Sequence, residues 1–155
     1  MPTPRKKKIK VLKTIGRTDK IDLPDLGFYN LPCKIDTGAD TSSIHCERVV
    51  IKEIDGVEHL VYRLLDKRKP KYTGQEVTTT EFKEKRVRSS NGTFEYRYQV
   101  KLKIVIFNKS YRVAFNLSNR KKMTYPVLLG RRFLSKKFLV DVAQQDISYS
   151  LKEGS

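Results

Sequence analysis

From Tyr96 to Leu117 the sequence keeps a period of two, and that restricts this stretch to β-structure. Tyr96, Tyr98, Val100, Leu102, Ile104 and Ile106 alternate with polar residues, Val105 being the exception. Tyr111, Val113, Phe115 and Leu117 resume the alternation after Asn108-Lys109-Ser110. Successive side chains of a strand point to opposite faces, so this spacing gives each strand one apolar face and one solvated face. Two more hairpins are marked by their turns. Asp55-Gly56 lies between Val49-Val50-Ile51 and Leu60-Val61-Tyr62, and Asn91-Gly92 lies between Arg86-Val87-Arg88 and a run starting at Phe94. Both dipeptides suit tight turns that need a positive φ.

The rest of the chain is consistent with short strands. Ile9 and Val11 begin one, Cys33–Ile35 and Ser43–Val50 form others, and Phe138–Val140 and Ile147–Tyr149 close the pattern. The stretch from Gly16 to Pro32 has the Pro and Gly punctuation of a loop, and Asp66 to Thr80 reads as a long polar loop. The single persuasive helix is short, Arg131 to Lys137, after Gly130. Many short strands with little helix predict an all-β fold, a small closed barrel with one short C-terminal helix. At 155 residues the chain is expected to hold one domain. The expected division is a basic arm over residues 1–7, the domain over 8–150 and a tail over 151–155.

The chain carries 33 Lys and Arg against 17 Asp and Glu, a net charge of +16. Such a field favours anionic partners: nucleic acid, anionic lipid or an acidic polypeptide. The basic runs carry no aromatic signature of the common RNA-binding domains. No apolar run approaches the roughly 20 residues that cross a bilayer, so no membrane association is expected. The N-terminus lacks the apolar stretch of a secretory signal, which makes the cytoplasm the expected compartment. Cys33 and Cys46 form no disulfide framework and read as buried thiols. A zinc site from Cys33, His45 and Cys46 has neither a standard spacing nor an evident fourth ligand.

The chemistry concentrates at Ile35-Asp36-Thr37-Gly38-Ala39, which occurs once. Asp36 is placed on a turn after an apolar strand, where Gly38 permits close backbone approach. About ninety residues later comes Val127-Leu128-Leu129-Gly130-Arg131, an apolar strand ending in Gly before the short helix. Asp40 and Arg131 are of opposite charge and adjoin these two turns.

The pairing of Asp-Thr-Gly-Ala-Asp with Leu-Leu-Gly-Arg resembles the retropepsin family of aspartic proteases. A closer resemblance rests on a series in fixed order: Gly16-Arg17, Leu23-Pro24-Asp25-Leu26-Gly27, Lys34 to Ala39, Thr41-Ser42-Ser43-Ile44-His45, Arg86 to Gly92 and Tyr125 to Arg131. Over roughly residues 9–145 this is similar to the bacterial retropepsin-like proteases of the RimB type, often labelled ATP-dependent zinc proteases. The resemblance implies an acid-protease barrel in which the Leu-Leu-Gly segment threads behind the catalytic loop. It implies that Asp36, with Thr37 and Gly38, is catalytic. Ala39 would leave room for substrate, and Asp40 and Arg131 would form a structural ion pair. Ser89, Ser90, Asn91 and Gly92 would lie near the cleft and support substrate, although an ordinary hairpin turn explains them as well. His45 is open between a support for the site and a structural histidine. Neither His-Glu-x-x-His nor a phosphate-binding Gly-x-x-x-x-Gly-Lys loop is present, so no cofactor and no metal are expected despite the family label.

Peptide hydrolysis by this route needs two carboxylates face to face, and one chain supplies one. A homodimer with an Asp36/Asp36 dyad is therefore expected, acting on peptides or acidic protein tails such as poly-glutamate. The segment Val57–Thr80 is the favoured cover for the cleft. The rival readings are a non-catalytic basic module that docks on ribosomal or other RNA, and a retropepsin scaffold locked as an inactive monomer.

Overall fold

The computed structural model describes residues 11–88 and 91–153. In chain order it holds β1 (Lys13–Ile15), β2 (Thr18–Leu23), a 3-10 turn (Pro24–Leu26), β3 (Phe28–Ile35), β4 (Ser42–Ile54), β5 (Val57–Leu64) and β6 (Val77–Thr79). These are followed by β7 (Lys83–Arg88), β8 (Phe94–Ile106), β9 (Lys109–Ser118), β10 (Val127–Leu129), α1 (Arg131–Leu134), β11 (Phe138–Val140) and α2 (Ile147–Glu153).

The period-two stretch is the long ladder of β8 and β9, paired without a slip from Tyr98–Leu117 to Ile106–Lys109. Val100, Leu102, Ile104 and Ile106 face inward with Val113, Phe115 and Leu117, all buried. The connection is Phe107-Asn108, one residue earlier and shorter than the expected Asn108–Ser110. Both residues have positive φ, 52° and 56°, the sign a two-residue type I′ turn needs. Phe107 holds this conformation because its ring packs on Phe138, with centroids 5.8 Å apart. Its N–H also donates to Ser148 Oγ at 2.8 Å.

Six strands close on themselves in the order β10, β3, β2, β8, β9, β4, and the ring is completed where β10 pairs with β4. Closure removes sheet edges and encloses a core. Ile21, Leu31, Ile44, Ile104, Phe115 and Leu129 fill it, each almost fully buried. The predicted all-β barrel is present. β5 and β6 extend from β4, while β7 pairs with β8 alone.

Four local expectations are corrected. The stretch Gly16 to Pro32 is an antiparallel hairpin of β2 and β3, not a loop. Its Pro24 to Gly27 punctuation is the connection between them, ended by Gly27 at φ 75°. Ile147–Tyr149 belongs to α2 rather than to a strand, so the barrel carries two short helices, and α2 runs on into the segment read as a tail. Asp19, 1% exposed, explains this helix: its carboxylate accepts the N–H groups of Ser148 and Tyr149 at 3.0 and 3.1 Å. Those two groups belong to the first turn, whose N–H groups have no partner within a helix. Asp66 to Thr80 contains β6, which pairs with β5. Val57–Thr80 is therefore no detached cover, because Leu60, Tyr62, Leu64 and Leu65 within it are core residues. The basic arm 1–7, Ile9, Ser89 and Ser90 lie outside the described residues.

Candidate active site

Strand β10 fixes the Asp36 loop. It lies between β3, parallel with Cys33 beside Val127 and Ile35 beside Leu129, and β4, antiparallel with Ile44 beside Val127. The backbone past its end is laced to the loop. Asp36 N–H donates to the Leu129 carbonyl at 2.9 Å, Arg131 N–H to the Ala39 carbonyl at 2.8 Å and Arg132 N–H to the Asp40 carbonyl at 3.0 Å. Gly130 N–H donates to the buried Ser42 Oγ at 3.1 Å. This closeness explains the glycine. A Cβ on Gly130 would sit 2.9 Å from the carbonyl oxygens of both Ala39 and Thr41.

Asp36 itself is half-buried. Its Oδ1 accepts the Gly38 N–H at 2.9 Å, a side-chain turn that orients the carboxylate over the loop. Thr37 and Gly38 are exposed, and Ala39 is half-buried. The ion pair implied for Asp40 and Arg131 is split. Arg132 Nε makes the closer contact to Asp40 Oδ2, 3.1 Å, while Arg131 Nη2 stands 3.9 Å from Oδ1. Arg131 Nη1 instead donates to the Thr37 carbonyl at 3.0 Å. Arg132 went unmarked in the sequence because only the residue directly after Gly130 carried the family pattern. Asn91 and Gly92 belong to the β7–β8 turn, with Gly92 at φ 87°. They are part of that hairpin rather than of the laced loops.

A buried polar group lies where β4 meets the segment that leads into β10. The His45 ring is fully buried, with Nε2 2.6 Å from Asp66 Oδ2. Its Nδ1 accepts the backbone N–H of Arg120 at 2.8 Å. An accepting Nδ1 puts the ring proton on Nε2, donated to Asp66. The His45 hydrogen bond, then the Arg68 N–H, hold the Asp66 carboxyl down at about 2. Burial pushes the Arg120 guanidinium below its ordinary pKa, and the negative charge of Asp36 opposes that shift. A histidine inside the apolar run Ile44-His45-Cys46 was the one available signal, since a buried ring needs partners for both nitrogens.

The residues considered for zinc do not fit it. Both His45 nitrogens are engaged. Cys46 Sγ donates to the carbonyls of Arg48 and Arg63 at 3.4 and 3.3 Å. Burial raises both thiols, Cys46 to about 11, which disfavours the thiolate a metal binds.

A solvent-reachable carboxylate on a braced turn can accept or hold a proton. The crystal structure of a Legionella pneumophila protein of unknown function is similar, with a TM-score of 0.66 and 27% identity over 88% of this chain and 98% of that one. Curated proteins named "Probable alpha-L-glutamate ligase" are also similar. The one from Desulfotalea psychrophila is 27% identical over 86% of this chain and 29% of its own length. That from Shewanella halifaxensis is 29% identical over 84% of this chain and 28% of its own. The chain thus spans less than a third of those relatives, whose name describes the whole proteins. Residues 14–150 match the family described as RimB-like, retropepsin-like aspartic endopeptidase RimB. With that match laid over a barrel whose β10 braces the Asp36 loop, the chain belongs to the RimB-like family of retropepsin-like aspartic endopeptidases.

Proposed function

We propose that the chain is an aspartic endopeptidase completed by a second copy of itself, with the two Asp36 carboxylates meeting across a two-fold axis. The observation that carries this reading is the bracing of Asp36 by the 129–132 backbone. It holds one carboxylate in place while leaving it reachable. Two close carboxylates do not both ionise, so one proton is shared. The ionised member takes a proton from the attacking water as the other donates to the scissile carbonyl oxygen. Thr37, exposed beside Asp36, is suited to hydrogen-bond across the axis. The β7–β8 hairpin replaces Val57–Thr80 as the cover, because residues 94–97 pair with β7 and extend past the last β8–β9 pair.

The substrate is an acidic peptide. The charge of +16 favours it, and the glutamate in the relatives' name supports polyglutamate or an acidic tail. Asp36→Asn is expected to abolish cleavage of a glutamate-rich peptide while leaving the melting temperature and the dimer mass unchanged. Full activity in that variant refutes the dyad. Cleavage is also expected to weaken steeply with added salt.

A second reading, a basic RNA-binding module on the same scaffold, draws on the exposed Phe94 and Tyr96 of the hairpin and on Arg86, 4.2 Å over the Phe94 ring. Aromatic and cationic groups together suit single-stranded nucleic acid. On that reading salt-sensitive RNA binding survives Asp36→Asn.

A further inference from the structure

We propose that the outer face of β8 and β9 carries a docking site for an acidic peptide, with Lys101 and Arg112 as the cations that receive its carboxylates. The inference rests on the acidic substrate of the proposed function and names the surface that recruits it.

The strand ladder brings these two cations together. Val100, Leu102, Val113 and Phe115 are buried, so Lys101, Arg112 and Ala114 between them face outward. The register sets Lys101 opposite Ala114 and Lys103 opposite Arg112. Arg112 is thus the diagonal neighbour of Lys101, about 7–8 Å away along the sheet and within reach of two long side chains. The short Ala114 side chain leaves space beside them, where a cavity of about 250 Å³ opens. Arg132 of α1 and Lys137 just after it line the same cavity, and among the described residues no Asp or Glu does.

Two of the four cations are occupied. Arg132 Nε donates to Asp40 at 3.1 Å, and Lys137 Nζ donates to the Phe133 carbonyl at 2.9 Å. Arg112 meets the exposed Glu81 at 3.5 Å, and Lys101 makes no ion pair among the described residues. Cations grouped around one space repel one another, and an anion placed there relieves that repulsion. Guanidinium also matches a carboxylate in shape and hydrogen-bonding capacity. The cavity is tied to the Asp36 loop through the backbone: Ser42, whose Oγ accepts the Gly130 N–H, lines it, and Arg132 N–H donates to the Asp40 carbonyl.

The surroundings favour a peptide over a nucleic acid. Lys101 and Arg112 also line a second cavity, of about 430 Å³, together with Val77, Thr78 and Thr79 of β6. β6 pairs with β5 alone, so one of its edges carries unpaired backbone groups. Such groups beside a basic wall suit an extended peptide with acidic side chains. The rings at the first cavity, Tyr111 and Phe133, pack on each other with centroids 5.2 Å apart, and Lys109 and Lys137 stand over them. Rings enclosed in this way are poor platforms for stacking a base.

The test measures binding of a fluorescein-labelled oligoglutamate peptide to the full-length protein by anisotropy. Wild type and Asp36→Asn are expected to bind it alike. Lys101→Gln combined with Arg112→Gln is expected to weaken binding about 10-fold or more with the melting temperature unchanged. Lys52→Gln combined with Lys71→Gln removes the same charge from exposed positions that line neither cavity, and is expected to shift affinity by no more than about twofold. Equal weakening by the two pairs means attraction by net charge alone and overturns the inference. Undiminished binding after loss of Lys101 and Arg112, or no binding by the wild type, overturns it as well. A single-stranded oligouridylate bound more tightly than the peptide, and weakened by the same two substitutions, assigns the surface to nucleic acid and overturns it too. Binding without cleavage removes the dyad and leaves the docking site standing, so the two failures are distinct.

Discussion

Gly130→Ala separates steric closeness from backbone preference. Gly130 has φ −99° and ψ −178°, which any residue adopts. On conformational grounds alone, alanine there stabilises by about 0.4–1 kcal/mol through the unfolded chain. The new Cβ, however, meets the Ala39 oxygen, the Thr41 carbonyl carbon and the Thr41 oxygen, each at 2.9 Å. All three are backbone atoms of a loop held by hydrogen bonds, so they yield only by moving the loop. Overpacking of this kind costs about 1–3 kcal/mol. The net expectation is a destabilisation near 1 kcal/mol, or a melting temperature lower by about 2–4 °C. On the proposed function, activity is expected to fall further than stability, because residues 39–41 continue the loop that carries Asp36 and small misplacements at a reacting group are costly. Urea denaturation followed by tyrosine fluorescence suits the assay, since the chain has eight Tyr and no Trp. Gly56→Ala is the control. It stands at φ 78° with nothing within 4 Å of the added atom, so it loses stability through the backbone alone and keeps activity. A Gly130→Ala protein more stable than the wild type, with full activity, refutes the reasoning.

Two buried aspartates give pH dependences of opposite sign. Asp66 is held at about 2, below its unfolded value, so its contribution is present above about pH 4 and is lost as pH falls through 2. Asp66→Asn is expected to flatten the acid limb of a plot of urea midpoint against pH. Asp19 is raised by burial, with its backbone hydrogen bonds opposing, so its contribution is present below about pH 4 and is lost as pH rises through its folded value. Asp19→Asn is expected to remove that decline. Arg132→Ala breaks an ion pair whose partners are both more than half exposed, and thermal melting is expected to show a change within about 1 kcal/mol.

The sequence made the barrel legible where one face of a strand stays apolar over many residues, as from Val100 to Leu117. It also marked the two loops that β10 joins, because Asp36-Thr37-Gly38 and Leu129-Gly130 are local strings. It misled where a signal has two physical causes. Pro24 and Gly27 serve equally as loop residues and as a tight connection between β2 and β3. Ile147 and Tyr149 alternate as a strand would, yet the decisive group for α2 is the Asp19 carboxylate, over a hundred residues earlier. Asp66 and Arg120 were illegible for the same reason. Their importance comes from His45, which each meets across the fold and not along the chain.

The insertion of β10 between β3 and β4 makes the bracing of the Asp36 loop a matter of timing. Asp40 and Arg132 are separated by 92 positions, so the Asp36 loop stays unbraced on the ribosome until that stretch has been made. Contacts of such long sequence separation form late and slow folding. A chain interrupted before Val127 carries the Asp-Thr-Gly string without the strand that shapes it. Late shaping of the Asp36 loop is thereby written into strand order.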